Sequence, residues 1–189
     1  MLTRLATVDD AASISRHICM AEGEITELFT GYADMERASA EVAKLVLSPE
    51  LCRYSWRKAI VAVIEDEIVG SVISFPADEQ PELDGPMIAY LKRKRGIVLD
   101  SLFFEGIPGS YYIGTMAVDP ERRKRGIGTA LLAAVEREAA AQGFSRLSLL
   151  VSPDKERTRG LYERVGYAAV DMVAIAGHPY CRMVKTMQS

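Results

Sequence analysis

The stretch from Tyr111 to Ser152 limits what this chain can become more than any other. An apolar run, YYIGTMAV, enters the turn DPERRKRGIG; a helical pattern follows in GIGTALLAAVEREAAAQ, and a second apolar run, RLSLLVS, closes the unit. Ile127, Leu131, Ala134, Val135 and Ala139 share one helical stripe, with Glu136 and Arg137 on the other side. Strand, helix and strand in this order, with strands buried under helices, predict an α/β or α+β sandwich.

The turn inside that unit carries chemistry. The first N–H groups of a helix have no partners within it, and its dipole makes that end partly positive. A glycine-containing turn ahead of such a helix lets phosphate oxygens reach those amides, and Arg122, Arg123, Lys124 and Arg125 surround the same point with positive charge. A phosphate or pyrophosphate cradle fits this pattern. So does a solvated basic turn whose glycines serve only local geometry. The two common nucleotide motifs are disfavoured: a dinucleotide fingerprint needs a third glycine where Leu131 stands, and no Gly-Lys-Ser/Thr occurs.

The rest of the chain supplies a sheet and its cover. Leu2 to Leu5 reads as a short strand before a helix, with Thr7 and Asp10 spaced as a capping box and Ile14 and Ile18 as an apolar pair. A second helix is predicted over residues 34 to 48, stopped by Pro49, with EGEITELFTGY between the two as a loop or broken helix. KAIVAVIEDEIVGSVISF is a hairpin around Glu65, Asp66 and Glu67. From Pro76 to Ser110 the rhythm breaks, with acidic groups, a helix near MIAYLKRKR, and Phe103 and Phe104. This interruption is an expected lid or binding insert. A helix KERTRGLYERV, a strand AAVDMVAIA, a turn at Gly177 to Pro179 and a strand YCRMVKTM complete the reading.

The chain's 189 residues fit one domain, with no repeat or linker marking a second. With 49% apolar and 26% charged residues it has the balance of a globular protein rather than a disordered one. No apolar run nears the roughly 18 residues of a membrane span and the start lacks a signal-peptide block, so a cytoplasmic location with no membrane partner is expected. Cys19, Cys52 and Cys181 suggest reduced core thiols, and His17 and His178 are too few for a histidine-rich metal centre; no metal is expected. His17 reads as a helix-face residue and His178 as part of a turn. Charge divides unevenly: residues 1–110 hold 11 basic and 18 acidic groups, residues 111–189 hold 12 and 8.

Arg123-Lys124-Arg125-Gly126-Ile127-Gly128 resembles the Arg/Gln-x-x-Gly-x-Gly/Ala signature of the GNAT superfamily of acyl-CoA-dependent N-acetyltransferases, and LYERVGY follows the next strand in that family's order. The resemblance is strong from Tyr111 to Tyr167 and extends over Leu2 to Phe75. It implies a mixed, mostly antiparallel central sheet flanked by helices, with two splayed central parallel strands. Acetyl-CoA would then be the co-substrate, its pantetheine lying along the backbone of Met116, Ala117 and Val118. Its pyrophosphate would rest on Arg123, Lys124, Arg125, Gly126, Ile127, Gly128 and Thr129. Tyr162 matches the position of a tyrosine near the thioester sulfur, suited to protonate the departing thiolate, while also fitting simple packing on the sheet. Lys155 stands where relatives carry an asparagine; Lys155, Arg157 and Arg159 are candidates for the coenzyme's outer phosphate or for a solvated face. Direct attack by a primary amine in a ternary complex is implied, with Glu27, Glu105 and Asp119 as unranked candidate bases.

The acidic N-terminal part and the insert at 76–110 suit a cationic amine, a small molecule or a peptide, and the basic C-terminal part suits the coenzyme. The alternative is a non-catalytic acyl-CoA sensor. Nucleic-acid binding through KRKR at 92–95 is disfavoured by a pI near 5.5. A homodimer is compatible with the sequence and dictated by nothing in it.

Overall fold

The computed structural model describes residues 1–187. The runs AIVAVI and EIVGSVISFP meet as β2 (Ala59–Ile64) and β3 (Glu67–Pro76), joined only by Glu65 and Asp66 at φ 51° and 63°. A two-residue turn matching the twist of a hairpin needs both residues left-handed, a conformation that normally selects Asn-Gly; here two charged, exposed side chains accept it. To this hairpin are added β1 (Leu2–Leu5), β4 (Tyr111–Val118), β5 (Arg146–Val151), β6 (Ala168–Ile175) and β7 (His178–Thr186). The order is β1-β2-β3-β4-β5-β7-β6, and every neighbouring pair is antiparallel except β4 and β5.

Two apolar layers cover the two faces. On one, α1 (Ala11–Glu22), α3 (Met35–Val46) and α4 (Gln80–Arg95) pack Ile14, Ile18, Val42 and Met87 with Phe75 and Tyr112 of the sheet. On the other, α5 (Ile127–Ala141) buries its predicted stripe of Ile127, Leu131, Ala134, Val135 and Ala139 against Val72, Ile113, Leu147 and Leu149, beside Tyr162 of α6 (Glu156–Arg164). The sheet is therefore the partition between two chemical environments.

EGEITELFTGY takes the broken-helix option, with α2 (Glu24–Thr30) separated from α1 by Gly23 at φ 54°. Other boundaries differ from the sequence reading. The insert's helix begins at Gln80 rather than near Met87, because Pro81 fits a first turn whose N–H groups are free anyway, and Pro86 is carried in the interior. The last hairpin turns at Ala176 and Gly177, φ 49° and 84°, so His178 and Pro179 already belong to β7. All three cysteines are free and buried. Among the described residues no helix is long and apolar enough to cross a membrane.

Candidate active site

The feature that creates a site is a split in the sheet. β4 and β5 pair in parallel only over Tyr111, Tyr112 and Ile113 with Leu147, Ser148 and Leu149, although β4 runs on to Val118 and β5 to Val151. The parting coincides with a bulge: opposite β3, Ile73 faces Thr115 and Ser74 faces Ile113, leaving Gly114 as an extra residue in β4. A bulge bends its strand and ends pairing, and here it turns β4 from its parallel neighbour.

Beyond the bulge, main-chain groups alternate between β3 and the split. Asp119 N–H donates to the Val69 carbonyl at 2.9 Å, and the register pairs Ala117 with Ser71. The alternation of an antiparallel ladder then aims the N–H and C=O of Ala117 at β3, and those of Met116 and Val118 at the split. Arg123 Nε donates to the Val118 carbonyl at 3.1 Å. Of the three residues expected to present backbone to a ligand, two are so oriented and Ala117 is committed to the sheet.

The turn at 119–126 leads to the end of this split. Lys124 and Gly126 are left-handed, φ 62° and 78°, and Gly126 is the N-cap of α5. The first bond of the helix is Ala130 N–H to the Gly126 carbonyl at 2.9 Å, which leaves the amides of Ile127, Gly128 and Thr129 without intrahelical acceptors. No side chain caps them and no acid lies in the first turn. Arg123, Lys124 and Arg125 are exposed around them, while Arg122 is engaged with Glu67 at 3.0 Å. A Cβ on Gly128 would stand 3.1 Å from Leu161 Cδ2 and 4.0 Å from Met116 Cε, so the first turn of α5, α6 and the split edge of β4 converge there.

Tyr162 follows Leu161 on α6. Its ring packs beside Tyr167 at 5.8 Å, its side chain is buried, and burial pushes its phenol up to about 12. Lys155, the N-cap of α6, donates from Nζ to the Ala21 carbonyl at 2.9 Å, tying α6 to the end of α1 rather than standing free for a phosphate. Arg159 pairs with Glu163 at 2.9 Å.

On the opposite face of the sheet, against Gly114 and Thr115, lies a small pocket walled by Ile73 and Phe75 and lined by Glu22, Arg53, Tyr54 and Glu105. Its polar groups form two tyrosine–glutamate pairs. The Tyr54 hydroxyl donates to Glu22, and the Tyr112 hydroxyl donates to Glu105 Oε2 at 2.6 Å. Arg53 donates to Glu105 at 2.5 Å and, from Nε and Nη2, to both oxygens of Asp84 at 2.7 and 3.1 Å. Gln80 completes the frame, donating to Asp84 at 3.2 Å and accepting the Glu105 amide at 3.0 Å. The insert is thus bonded into the pocket at Asp84 and Glu105.

Glu22 is the group sequence reasoning missed. Burial, opposed by the Tyr54 hydrogen bond and reinforced by the nearby charge of Glu105, raises its carboxyl to about 7. Its place at the C-terminal end of α1 works in the same direction, since that end of a helix is partly negative. Of the candidate bases named from sequence, Glu105 lines the pocket but already accepts from Arg53 and Tyr112. Glu27 is exposed on α2 and absent from the lining, and Asp119 is held by Arg16 and His17 at the far end of β4.

A split parallel pair with a basic helix start on one side is the geometry the sequence signature implied, and the acetyltransferase (GNAT) family model matches residues 24–167. The chain belongs to the GNAT acetyltransferase family. A solved acetyltransferase superposes on this GNAT protein with a TM-score of 0.78 and 27% identity, each chain covered to 100%. An N-acetyltransferase from Staphylococcus aureus Mu50 does so with 0.74 and 19%, covering 97% of this chain and 100% of the other. PaiA N-acetyltransferase from Thermoplasma acidophilum, solved in complex with coenzyme A, gives 0.58 and 14%, with 98% of each chain covered. The GNAT fold, with its mostly antiparallel sheet and parallel β4 and β5, accounts for nearly the whole chain.

Proposed function

We propose that this GNAT protein transfers the acetyl group of acetyl-CoA to a primary amine by direct attack in a ternary complex. The observation that carries the reading is the split itself, which has free helix-start amides at one end and a carboxylate-lined pocket against its bulge. Pyrophosphate fits the amides of Ile127, Gly128 and Thr129 with the exposed Arg123, Lys124 and Arg125 around it. The pantetheine amides fit the outward backbone of Met116 and Val118, and the relative solved with coenzyme A shares the fold.

Glu22 is the general base of this reading. A carboxylate poised near pH 7 is half ionised at working pH and takes the proton of the entering ammonium without being a negligible base. The freed nitrogen attacks the thioester carbonyl carbon, and a split-facing backbone N–H, at Met116 or Val118, stabilises the oxyanion. Tyr162 then meets the departing sulfur. With its phenol at about 12 and a free thiol near 8.5, complete proton transfer to the thiolate is uphill by about 5 kcal/mol. Tyr162 therefore serves as a hydrogen-bond donor to developing charge as the C–S bond breaks, and the second proton, shed by the new amide nitrogen, quenches the thiolate through water.

The acceptor is a cationic amine without a carboxylate beside it. Arg53 is taken by Asp84 and Glu105, and Lys155 is taken by Ala21, so neither pocket-side cation is left for an acceptor's acid group. The test has two stages. Thermal unfolding is followed with acetyl-CoA, coenzyme A and ATP, where a ligand at about 100 times its Kd adds roughly 2.7 kcal/mol. Stabilisation by both coenzyme forms and not by ATP is expected; no shift with either removes the reading. Thiol release is then followed with matched pairs, cadaverine against lysine and histamine against histidine. Coenzyme binding with no amine turned over would turn the reading toward an acyl-CoA sensor.

A further inference from the structure

α1 carries a second polar group with no part in the pocket. His17 is 1% exposed, and both of its ring nitrogens are partnered: Nδ1 lies 3.1 Å from Ser71 Oγ on β3, and Nε2 lies 3.1 Å from Asp119 Oδ1. The next residue back, Arg16, approaches the same carboxylate at 3.3 Å.

These contacts fix the tautomer. A carboxylate only accepts, so Nε2 must carry the proton, and in a neutral ring Nδ1 must then accept from the Ser71 hydroxyl. Burial lowers the imidazole's affinity for a second proton, against the pull of Asp119. Ser71 is itself 3% exposed and has no route to a substrate, so the Ser, His and Asp order here is not a nucleophilic triad.

Asp119 is the first residue after β4 and opens the turn that ends at Gly126. It occupies the N-cap of the short 3-10 turn Pro120–Arg122, where an aspartate ordinarily folds back to bond the turn's own amides. It makes no such bond; its carboxylate is drawn across to α1 instead. Its backbone is anchored as well, with its N–H on Val69 and its carbonyl accepting Arg122 N–H at 2.9 Å. The turn between the split and the helix start is therefore pinned at its first residue, and that pin is buried in α1.

We infer that His17, locked from behind by Ser71, is a positioning residue that holds Asp119 and through it the turn of the coenzyme cradle, setting the affinity for acetyl-CoA. This rests on the cradle being the coenzyme site. A histidine chosen only to fill the core would not need a carboxylate at the mouth of the turn.

The experiment compares H17Q with H17N. A glutamine amide reaches where Nε2 stands and still donates to Asp119, whereas an asparagine amide reaches only as far as Nδ1 and leaves that oxygen without its buried donor. H17N is expected to raise the KM for acetyl-CoA about tenfold, the size of one lost hydrogen bond to a charged group, with kcat moving less. H17Q is expected to stay within about threefold of the wild type. D119A should reproduce the H17N effect, and the H17N/D119A pair should add little to either alone. Equal losses in H17Q and H17N, or a change confined to the acceptor's KM, overturn the inference. Imidazole 15N spectra of the unsubstituted protein, with exposed His178 as the reference, give a test independent of any variant. A neutral ring protonated at Nε2 is expected, and protonation at Nδ1 overturns it. If the wild type binds no coenzyme, the reading of the cradle fails instead.

Discussion

The two halves of the site are built on different principles. The cradle is one contiguous stretch, Met116 to Thr129, and what it offers a ligand is main chain: two outward residues of β4 and three helix-start amides. The pocket draws Glu22, Arg53, Tyr54, Phe75, Glu105 and Thr115 from separated parts of the chain, and what it offers is side chains. A backbone site tolerates changes in side-chain identity as long as the path of the chain is kept. A side-chain site fails when one group is lost, because its buried members hydrogen-bond one another.

That contrast predicts a graded series. Arg53→Ala strands Asp84 and Glu105 in a pocket where the arginine side chain is 13% exposed, and should cost about 3–5 kcal/mol of unfolding free energy in a denaturant titration. Glu22→Gln should lower kcat/KM by about 10²–10³ while leaving the coenzyme-induced thermal shift intact. It should also abolish a pH limb. A base at about 7 is active when deprotonated, so the wild-type rate falls about tenfold per unit below pH 7 and levels above it. Tyr162→Phe, removing one donor to developing charge, should slow turnover by roughly 10- to 100-fold with coenzyme binding kept; unchanged turnover would leave the tyrosine a packing residue.

In the cradle the effects should be smaller and of another kind. Gly126→Ala forces a Cβ into the left-handed region with nothing near it to clash, and is expected to cost about 1 kcal/mol and to weaken coenzyme binding slightly. Arg125→Ala removes an exposed charge and should raise the coenzyme Kd by roughly twofold at low salt and less at high salt. A cradle arginine that mattered as much as Glu22 would erase the distinction between the halves.

The same contrast explains what could be read in advance. The strand at 111–118, the stripe of α5 and the glycine-broken turn were legible because a continuous period and a local backbone need are written in neighbouring residues. Glu22 was hidden among the acids of AEGEITE, and its role exists only because Tyr54 and Glu105 arrive from elsewhere. One local signal did exist: an acid directly before the helix-ending Gly23 stands against the helix dipole, where a basic residue is the usual choice. The bond of Lys155 to Ala21 is hidden for the same reason, since the carbonyl it finds lies 134 positions away in the chain. The Glu65–Asp66 turn shows the converse, a hairpin legible from its strands although its turn residues are the wrong kind.

The extra residue at Gly114 has a consequence for how this strand can change over evolution. Before it, odd-numbered Tyr111 and Ile113 face α5 and Tyr112 faces α1; after it, even-numbered Met116 and Val118 face α5 and Thr115 lines the pocket. The parity of β4 is inverted at that point. Losing the single residue 114 would make Ile113 and Thr115 neighbours opposite Ser74 and Ile73, keep every later side chain on its present face, and erase the bulge that turns β4 from β5. Substitution there is mild by comparison, since an alanine Cβ would meet Phe75 and Tyr112 only at ordinary contact, 3.6 Å. Along this strand the number of residues carries as much information as their identity.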